Sequence, residues 1–305
     1  MSVSLSLIIC TYNREKFLPD CLDSLANQKL DPGAFEIVLI NNNSTDSTHR
    51  IAGAFLARHP ELNVQYHIEE KQGLSHARNR GLAESRGQIL TFFDDDAIAM
   101  PDAGQRILDF FEAHPQAFAL GGKVIAKFET RRPKWFNRFS ASLYFSHYDK
   151  GDRPFSYRGQ GYPIGCNMSF RREVFDRLGG FDVNLGRKGK QMLGAEEKDL
   201  FARIRQAGMA YYYDPSVKVY HQIAADRVGQ PYMDKLAFGL GQTHRMLYCE
   251  RPGWACFRAG ILILLKFIAA IGLALGYLLG GRPAVFRHLI DYRWKVVRGF
   301  FGAWP

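Results

Sequence analysis

Short runs of β-branched and aromatic residues recur along the first 125 residues, at Ser4–Cys10, Phe35–Asn41, Val64–Glu69, Gln88–Asp94 and Ala117–Ile125. Between them, apolar positions return at helical spacing over Phe17–Gln28, Ser47–Arg58, Leu74–Glu84 and Pro101–His114, the last with a proline suited to a first helical position. Strands alternating with helices of this length predict an α/β fold, a mostly parallel sheet with helices on both faces. Ligands of such sheets gather beyond the carboxyl ends of the strands. The polar stretches that follow the strands are TYNR (Thr11–Arg14), NNNSTD (Asn41–Asp46) and DDD (Asp94–Asp96). They are therefore expected at one edge.

The periodicity dissolves between Phe128 and Gly161 into an aromatic and basic stretch, which reads as a long loop overhanging the ligand edge. Strand, turn and helix signals return in YPIGCNMSFRREVFDRLGGFD, and LGAEEKDLFARIRQAG reads as a loop running into a helix. Ala210–Tyr213 and Val217–Tyr220 then predict a strand pair ending at His221.

Further on, the chain turns strongly apolar. Gly260–Gly280 carries a single charge, Lys266, and as a helix would be about 31 Å long, close to the hydrocarbon thickness of a bilayer. The flank beyond it holds Arg282, Arg287, Arg293, Lys295 and Arg298 against Asp291; the flank before it holds Arg245, Arg251 and Arg258 against Glu250. A simple crossing would put the more basic flank outside, against the positive-inside tendency. The tail up to Phe301 also sets Arg287, Asp291, Lys295 and Arg298 on one helical face, as a basic interfacial helix would. The expectation is a segment that enters the membrane without delivering the tail to the far side. The alternative is a buried helical hairpin in a soluble protein.

Composition changes the picture in two respects. Hydrophobic residues make up 47% and charged residues 23%, as in folded proteins, and the net charge of +10 calls for an anionic partner. Nucleic acid is disfavoured because the cations form no recognised nucleic-acid module and many flank the apolar segment. The five cysteines, Cys10, Cys21, Cys166, Cys249 and Cys256, make no C-x-x-C pair, which favours a reducing compartment over a disulfide framework. The apolar run at the N-terminus has no basic leader and reads as a first strand.

The candidate chemistry begins with the carboxylates. In an extended chain Asp94 and Asp96 point the same way, and two oxygen donors one pleat apart suit a hard divalent cation such as Mg2+ or Mn2+. Taken singly, each element has a structural explanation: a solvated loop for DDD, a macrodipole effect for the acidic residues of GAEEKDL, a hydrogen-bonded core histidine for His221.

As an ordered set, SLIICTYNR, FEIVLINNNSTDST, GLSHARNRGLAESRGQILTFFDDDA, IGCNMSFRREVFDRLGGFD and GAEEKDLFARIRQAG resemble the family 2 glycosyltransferases, over about Ser4 to His221. The resemblance implies the GT-A type of Rossmann-like fold and transfer of a sugar from a nucleoside diphosphate with inversion. It implies that Thr11, Tyr12 and Asn13 line the base and ribose pocket, and that Arg78, Asp94 and Asp95 lie on the nucleotide or its diphosphate. Asn41 and Asn42 stand where the family usually carries an aspartate that accepts the uracil N–H; an amide oxygen can still accept that bond. Asp94 and Asp96 match the D-x-D metal element, and His221 the histidine that completes the metal site in some members. Imidazole suits Mn2+ better than Mg2+. Glu197 matches the catalytic base, with Glu196 before it; the family more often has aspartate there. Cys166 and Asn167 would border the acceptor.

On this reading the cation offsets the charge of the diphosphate leaving group, and Glu197 takes the acceptor's proton from the opposite side. Carboxylates crowded in this way also imply that metal and nucleotide bind synergistically. The implied layout is a catalytic domain over 1–235 (nucleotide half 1–125, acceptor half 126–235) and a helical, membrane-associated region over 236–305. The expected partners are a nucleoside-diphosphate sugar, a UDP-sugar favoured, and a lipid-linked or glycan acceptor at the cytoplasmic side of an inner membrane. QTHRM, Gln242–Met246, resembles the Q-x-x-R-W element of processive synthases with Met246 in place of tryptophan. A processive synthase or a non-catalytic sugar-nucleotide binder are the alternatives.

Overall fold

The structure, a computed structural model, describes residues 3–189, 194–249 and 253–302. Glu250, Arg251 and the chain end at Pro305 lie outside the described residues. The chain divides into two compact units, the first built from 1–127, 146–189 and 196–222, the second from 128–145, 190–195 and 223–305.

The first unit holds a single sheet. Strands β1 (Leu5–Thr11), β2 (Phe35–Asn41), β3 (Val64–Ile68) and β4 (Ile89–Asp94) run parallel in the order β3-β2-β1-β4. Beyond β4 come β5 (Ala97–Ala99), β6 (Ala117–Phe128), β7 (Phe155–Ser156), β8 (Asn167–Arg171) and β9 (Ala210–Ile223). In this half β8 pairs antiparallel with both β4 and β6, and β9 with both β5 and β7. The sheet is thus mixed, its parallel half being the one that the alternating pattern predicts.

Both faces of the parallel half are buried, and the side-chain period of two divides the core accordingly. Leu5, Leu7 and Ile9 of β1 pack with α1 (Leu18–Ala26), α2 (Thr48–Arg58) and a later helix over Ala103–Ala113. Ile8, on the other face, packs with Ala77 of α3 (Leu74–Glu84), Leu200 and Phe201. Gly81 of α3 sits directly over Ile8, where a Cβ would collide with that side chain.

Several expectations change. The helix after Asp96 is α4, Ala103–Ala113, with Asp102 at its N-cap; Pro101 lies in the preceding turn. The expected strand pair before His221 is one continuous strand, β9, with Asp214 accepting the Ser216 N–H inside it. The expected loop from Phe128 to Gly161 contains helix α5 (Arg138–Phe145) and strand β7. Its aromatics are used in packing. Tyr157 stacks on Tyr211 and bonds Tyr148, whereas in the second unit Trp135 stacks on His288 at 4.0 Å and on Phe145 at 5.5 Å.

Helices α6 (Glu173–Leu178) and α7 (Glu196–Gln206) complete the first unit; α8 (Gln230–Cys249), α9 (Trp254–Leu279) and α10 (Pro283–Phe301) dominate the second. α9 and α10 form an antiparallel hairpin in which Ala274 packs with Val285 and Leu289. Gly260 lies beside Phe300, and Gly302 comes back against Arg245 of α8. α8 and α10 meet backbone to backbone at Gly241 and Gly299, where a side chain on either would strike the other helix. Lys295 ties the same two helices by pairing with Asp234 and, at 2.6 Å, with Asp291.

The basic helix expected at a membrane surface therefore buries its apolar face among its neighbours: Val285, Leu289, Val296 and Phe300 are enclosed, and Trp294 stays exposed beside Phe267. The open apolar surface belongs to α9. It turns Ala259, Gly260, Ile263, Ala270 and Ala274 inward, and Leu262, Leu265, Ile268, Leu275 and Leu279 outward, with Lys266 exposed halfway along. By length and composition α9 is able to cross a membrane. A disulfide joins Cys249 at the end of α8 to Cys256 in the first turn of α9, contrary to the expectation of unpaired thiols; Cys10, Cys21 and Cys166 are free.

Candidate active site

The side chains of the candidate site lie in the first unit, at the carboxyl ends of β1, β2 and β4, on α3, in the loop that carries Arg187 and at the adjoining ends of β8, β9 and α7. β4 stops at Asp94, and Asp95 and Asp96 form a turn into β5. The three carboxylates consequently differ in exposure and partners. Asp94 is the open one, its side chain 34% exposed and 4.0 Å from an Arg78 nitrogen. Asp95 lies 3.4 Å from the Arg14 Nε. Asp96, 2% exposed, lies 3.4 Å from Arg14 Nη2 and 2.9 Å from His221 Nε2.

These neighbours answer the repulsion that three adjacent aspartates pose. Burial pushes Asp94 up, and the Asp96 charge adds to it while Arg78 opposes. Burial would raise Asp96 too, but the His221 contact and Arg14 overcome it and hold Asp96 down at about 2. Asp95 is raised to about 7 by burial, with Arg14 working against the rise. Arg187, in the exposed loop that ends the Asp182–Gly189 segment, lowers both Asp94 and Asp96 electrostatically.

Arg78, on α3, is buried under a cluster of acids. Its guanidinium bonds Glu196 at 3.0 Å and Glu197 at 3.3 Å, and lies over the Phe181 ring. The two glutamates open α7, so one arginine fork spans both of them and reaches toward Asp94. Gly165 makes this possible, since a Cβ there would strike the Glu197 carboxylate and crowd Arg78. Burial, and then the Glu196 charge, raise Glu197 to about 7, with Arg78 pulling the other way. That places a carboxylate near neutrality, as a general base requires.

The polar loops at the nucleotide edge are tied to one another. Thr11 is buried at the end of β1 and Tyr12 is exposed. Asn13, at φ 52, accepts the Thr45 N–H at 2.8 Å, and its own N–H bonds Ser44. Asn41 accepts from the Ser44 N–H and donates to Tyr66. Asn42 donates to the Glu69 and Lys71 carbonyls and accepts from the Gly73 N–H and Gln72. Both amides thus staple loops. On the opposite side Asn167 donates to the Lys123 and Val217 carbonyls, which fixes the turn that carries Cys166.

The arrangement gathers Asp94, Asp95, Asp96, Arg78, Glu196, Glu197, Cys166 and His221, all named from the sequence, around one strand edge. Arg14 and Arg187 received no role there. Arg14 carried a usable signal, since it directly follows Thr11–Asn13 at the end of the first strand. Among the donors present, one atom each from Asp94, Cys166 and His221 fall within 4.8 Å of one another, a set able to hold a divalent cation.

Residues 6–179, more than half of the chain, match glycosyl transferase family 2, and the chain belongs to that family. It is similar to the glucosyl-dolichyl phosphate glucuronosyltransferase of Haloferax volcanii, 27% identical over 251 residues, which cover 80% of this chain and 77% of the relative. The succinoglycan biosynthesis protein ExoM of Rhizobium meliloti is 27% identical over 258 residues, 83% of this chain and 79% of that protein. In fold, the chain is similar to the mannosyltransferase PcManGT from Pyrobaculum calidifontis, solved with GDP-Man and Mn2+. The TM-score is 0.65 at 19% identity, covering 98% of this chain and 86% of that one. The fold is of the GT-A type, and the chain is a glycosyltransferase.

Proposed function

We propose that this glycosyltransferase moves a hexosyl or hexosaminyl group from a nucleoside-diphosphate sugar, a UDP-sugar favoured, to a hydroxyl of a lipid-linked or glycan acceptor, with inversion. The observation that carries the reading is the Arg78 bridge, which holds Glu197 near Asp94 but on a separate element, so that a base and a donor-binding carboxylate face one site.

A divalent cation held by Asp94, Asp96 and His221 would offset charge on the departing diphosphate. The residues present fit such a group, since Asp94 and His221 converge and Asp96 abuts His221. Thr11, Tyr12 and Asn13 seat the nucleoside, and Arg14 and Arg187 serve the diphosphate as cations beside the aspartates. Glu197 accepts the proton of the acceptor hydroxyl as its oxygen attacks the anomeric carbon opposite the leaving group. The Haloferax relative's dolichyl phosphate substrate and the exopolysaccharide role of ExoM support an envelope or polysaccharide acceptor.

A screen of nucleoside-diphosphate sugars, reading metal-dependent protection from heat, identifies the donor. Asp94→Ala is expected to weaken that metal-dependent binding by about tenfold to a hundredfold. Unchanged donor binding in this variant would overturn the donor site.

The outward face of α9 is proposed to lie in the cytoplasmic face of a membrane. Lys266 would reach the headgroups, and the hairpin would return the tail to the side it came from. Full-length protein should float with anionic vesicles, and Leu265→Glu with Ile268→Glu should leave most of it in the soluble fraction. Protease digestion reaching the tail only from the far side would reject the one-sided arrangement.

A further inference from the structure

The strand register that builds the site also delivers a sulfur atom to it. In the β4–β8 ladder Phe93 stands opposite Asn167, so the next step sets Cys166 across from Asp94. The β5–β9 ladder sets His221 across from Ala97, one residue beyond the aspartate turn. An Asp94 oxygen, the Cys166 sulfur and a His221 ring nitrogen therefore lie within 4.8 Å of one another. Donors gathered this closely could together hold one cation. Cys166 is buried and belongs to no disulfide, and its turn is fixed by the Asn167 bonds to Lys123 and Val217.

We propose that Cys166 is a direct ligand of the divalent cation, giving the site an oxygen, nitrogen and sulfur donor set. The inference rests on the metal-dependent reading of the site. On binding, the S–H bond breaks, the proton passes to water and the sulfur lone pair fills the coordination position. A thiolate favours Co2+, Zn2+ and Cd2+ over Mg2+, which seeks oxygen and engages Asp94 without the sulfur. Asp96, which abuts the His221 ring, keeps its place beside these donors.

Cobalt reports on this directly. The full-length protein titrated with Co2+ in the presence of UDP should develop visible cobalt absorption together with a thiolate-to-cobalt charge-transfer band in the near ultraviolet. Cys166→Ser and Cys166→Ala should keep the visible absorption, lose the charge-transfer band and bind Cd2+ about tenfold or more weakly. Their Mg2+ binding should be unchanged. Cys21→Ser, a thiol beside the Asp94 carbonyl, should retain the band. Cobalt bound by the parent without a charge-transfer band overturns the role of Cys166 and leaves the metal-dependent reading standing. Failure of the parent to bind Co2+, Mn2+ or Mg2+ overturns both. Should the Cys166 variants not fold, the parent's spectrum decides alone.

Discussion

Glu197→Gln is expected to lower the transfer rate by about 10²–10⁴-fold while leaving donor affinity close to that of the parent. Glutamine keeps the shape and can still accept from Arg78, but it cannot take a proton. A sugar-nucleotide binder without turnover would show no such division between binding and rate, so this variant also tests the principal alternative. Turnover at the parental rate would remove Glu197 from the mechanism.

The pH profile follows from the same residue. The basic form of Glu197 fills as pH rises through about 7, so the parental rate should climb between pH 6 and 8 and then level off. Stability should move the opposite way. The unfolded chain ionises this group near its ordinary 4.5 and the folded chain near 7, so between those values the folded protein binds more protons. The contribution is full below 4.5 and is lost as pH rises through 7; Glu197→Gln should flatten that slope. Thermal midpoints of both proteins across pH 4 to 8 provide the check.

Arg78→Ala should be the most damaging substitution for stability within the site. It would leave Glu196, itself buried, and Glu197 facing each other without their shared cation, and uncompensated buried charge of this kind costs about 3–5 kcal/mol. Lysine should not restore the loss, because a point charge cannot bond two carboxylates and cover the Phe181 ring as a planar fork does. Urea unfolding curves for the alanine and lysine variants measure both effects. A midpoint equal to the parent's would mean that the bridge carries no load.

Where periodic patterning and burial coincide, the chain was readable in advance. Phe35–Asn41 and Leu74–Glu84 form as predicted, the first buried at every position and the second along one side. The carboxylates were legible as a group because three polar strand ends share one edge. The turn after Asp94 was not, although Asp94 and Asp96 both come to His221.

Arg78 illustrates a different limit. The resemblance put it on the nucleotide or its diphosphate; its contacts with Glu196 and Glu197 join residues more than a hundred positions apart, which local pattern cannot foresee. Trp135, in the segment read as a loop over the ligand edge, stacks on His288, another partner distant in sequence. The Cys249–Cys256 link likewise joins two helices, and no spacing rule announced it.

The lopsided surface of α9 has a consequence for how the protein comes into being. Its large aliphatic side chains are exposed, while α10, which backs the opposite face, leaves the ribosome after it. A nascent chain halted just after Leu279 would expose both faces at once. It should therefore clump in plain buffer and require detergent or nanodiscs, whereas a chain extended through α10 should need only enough amphiphile to cover one side.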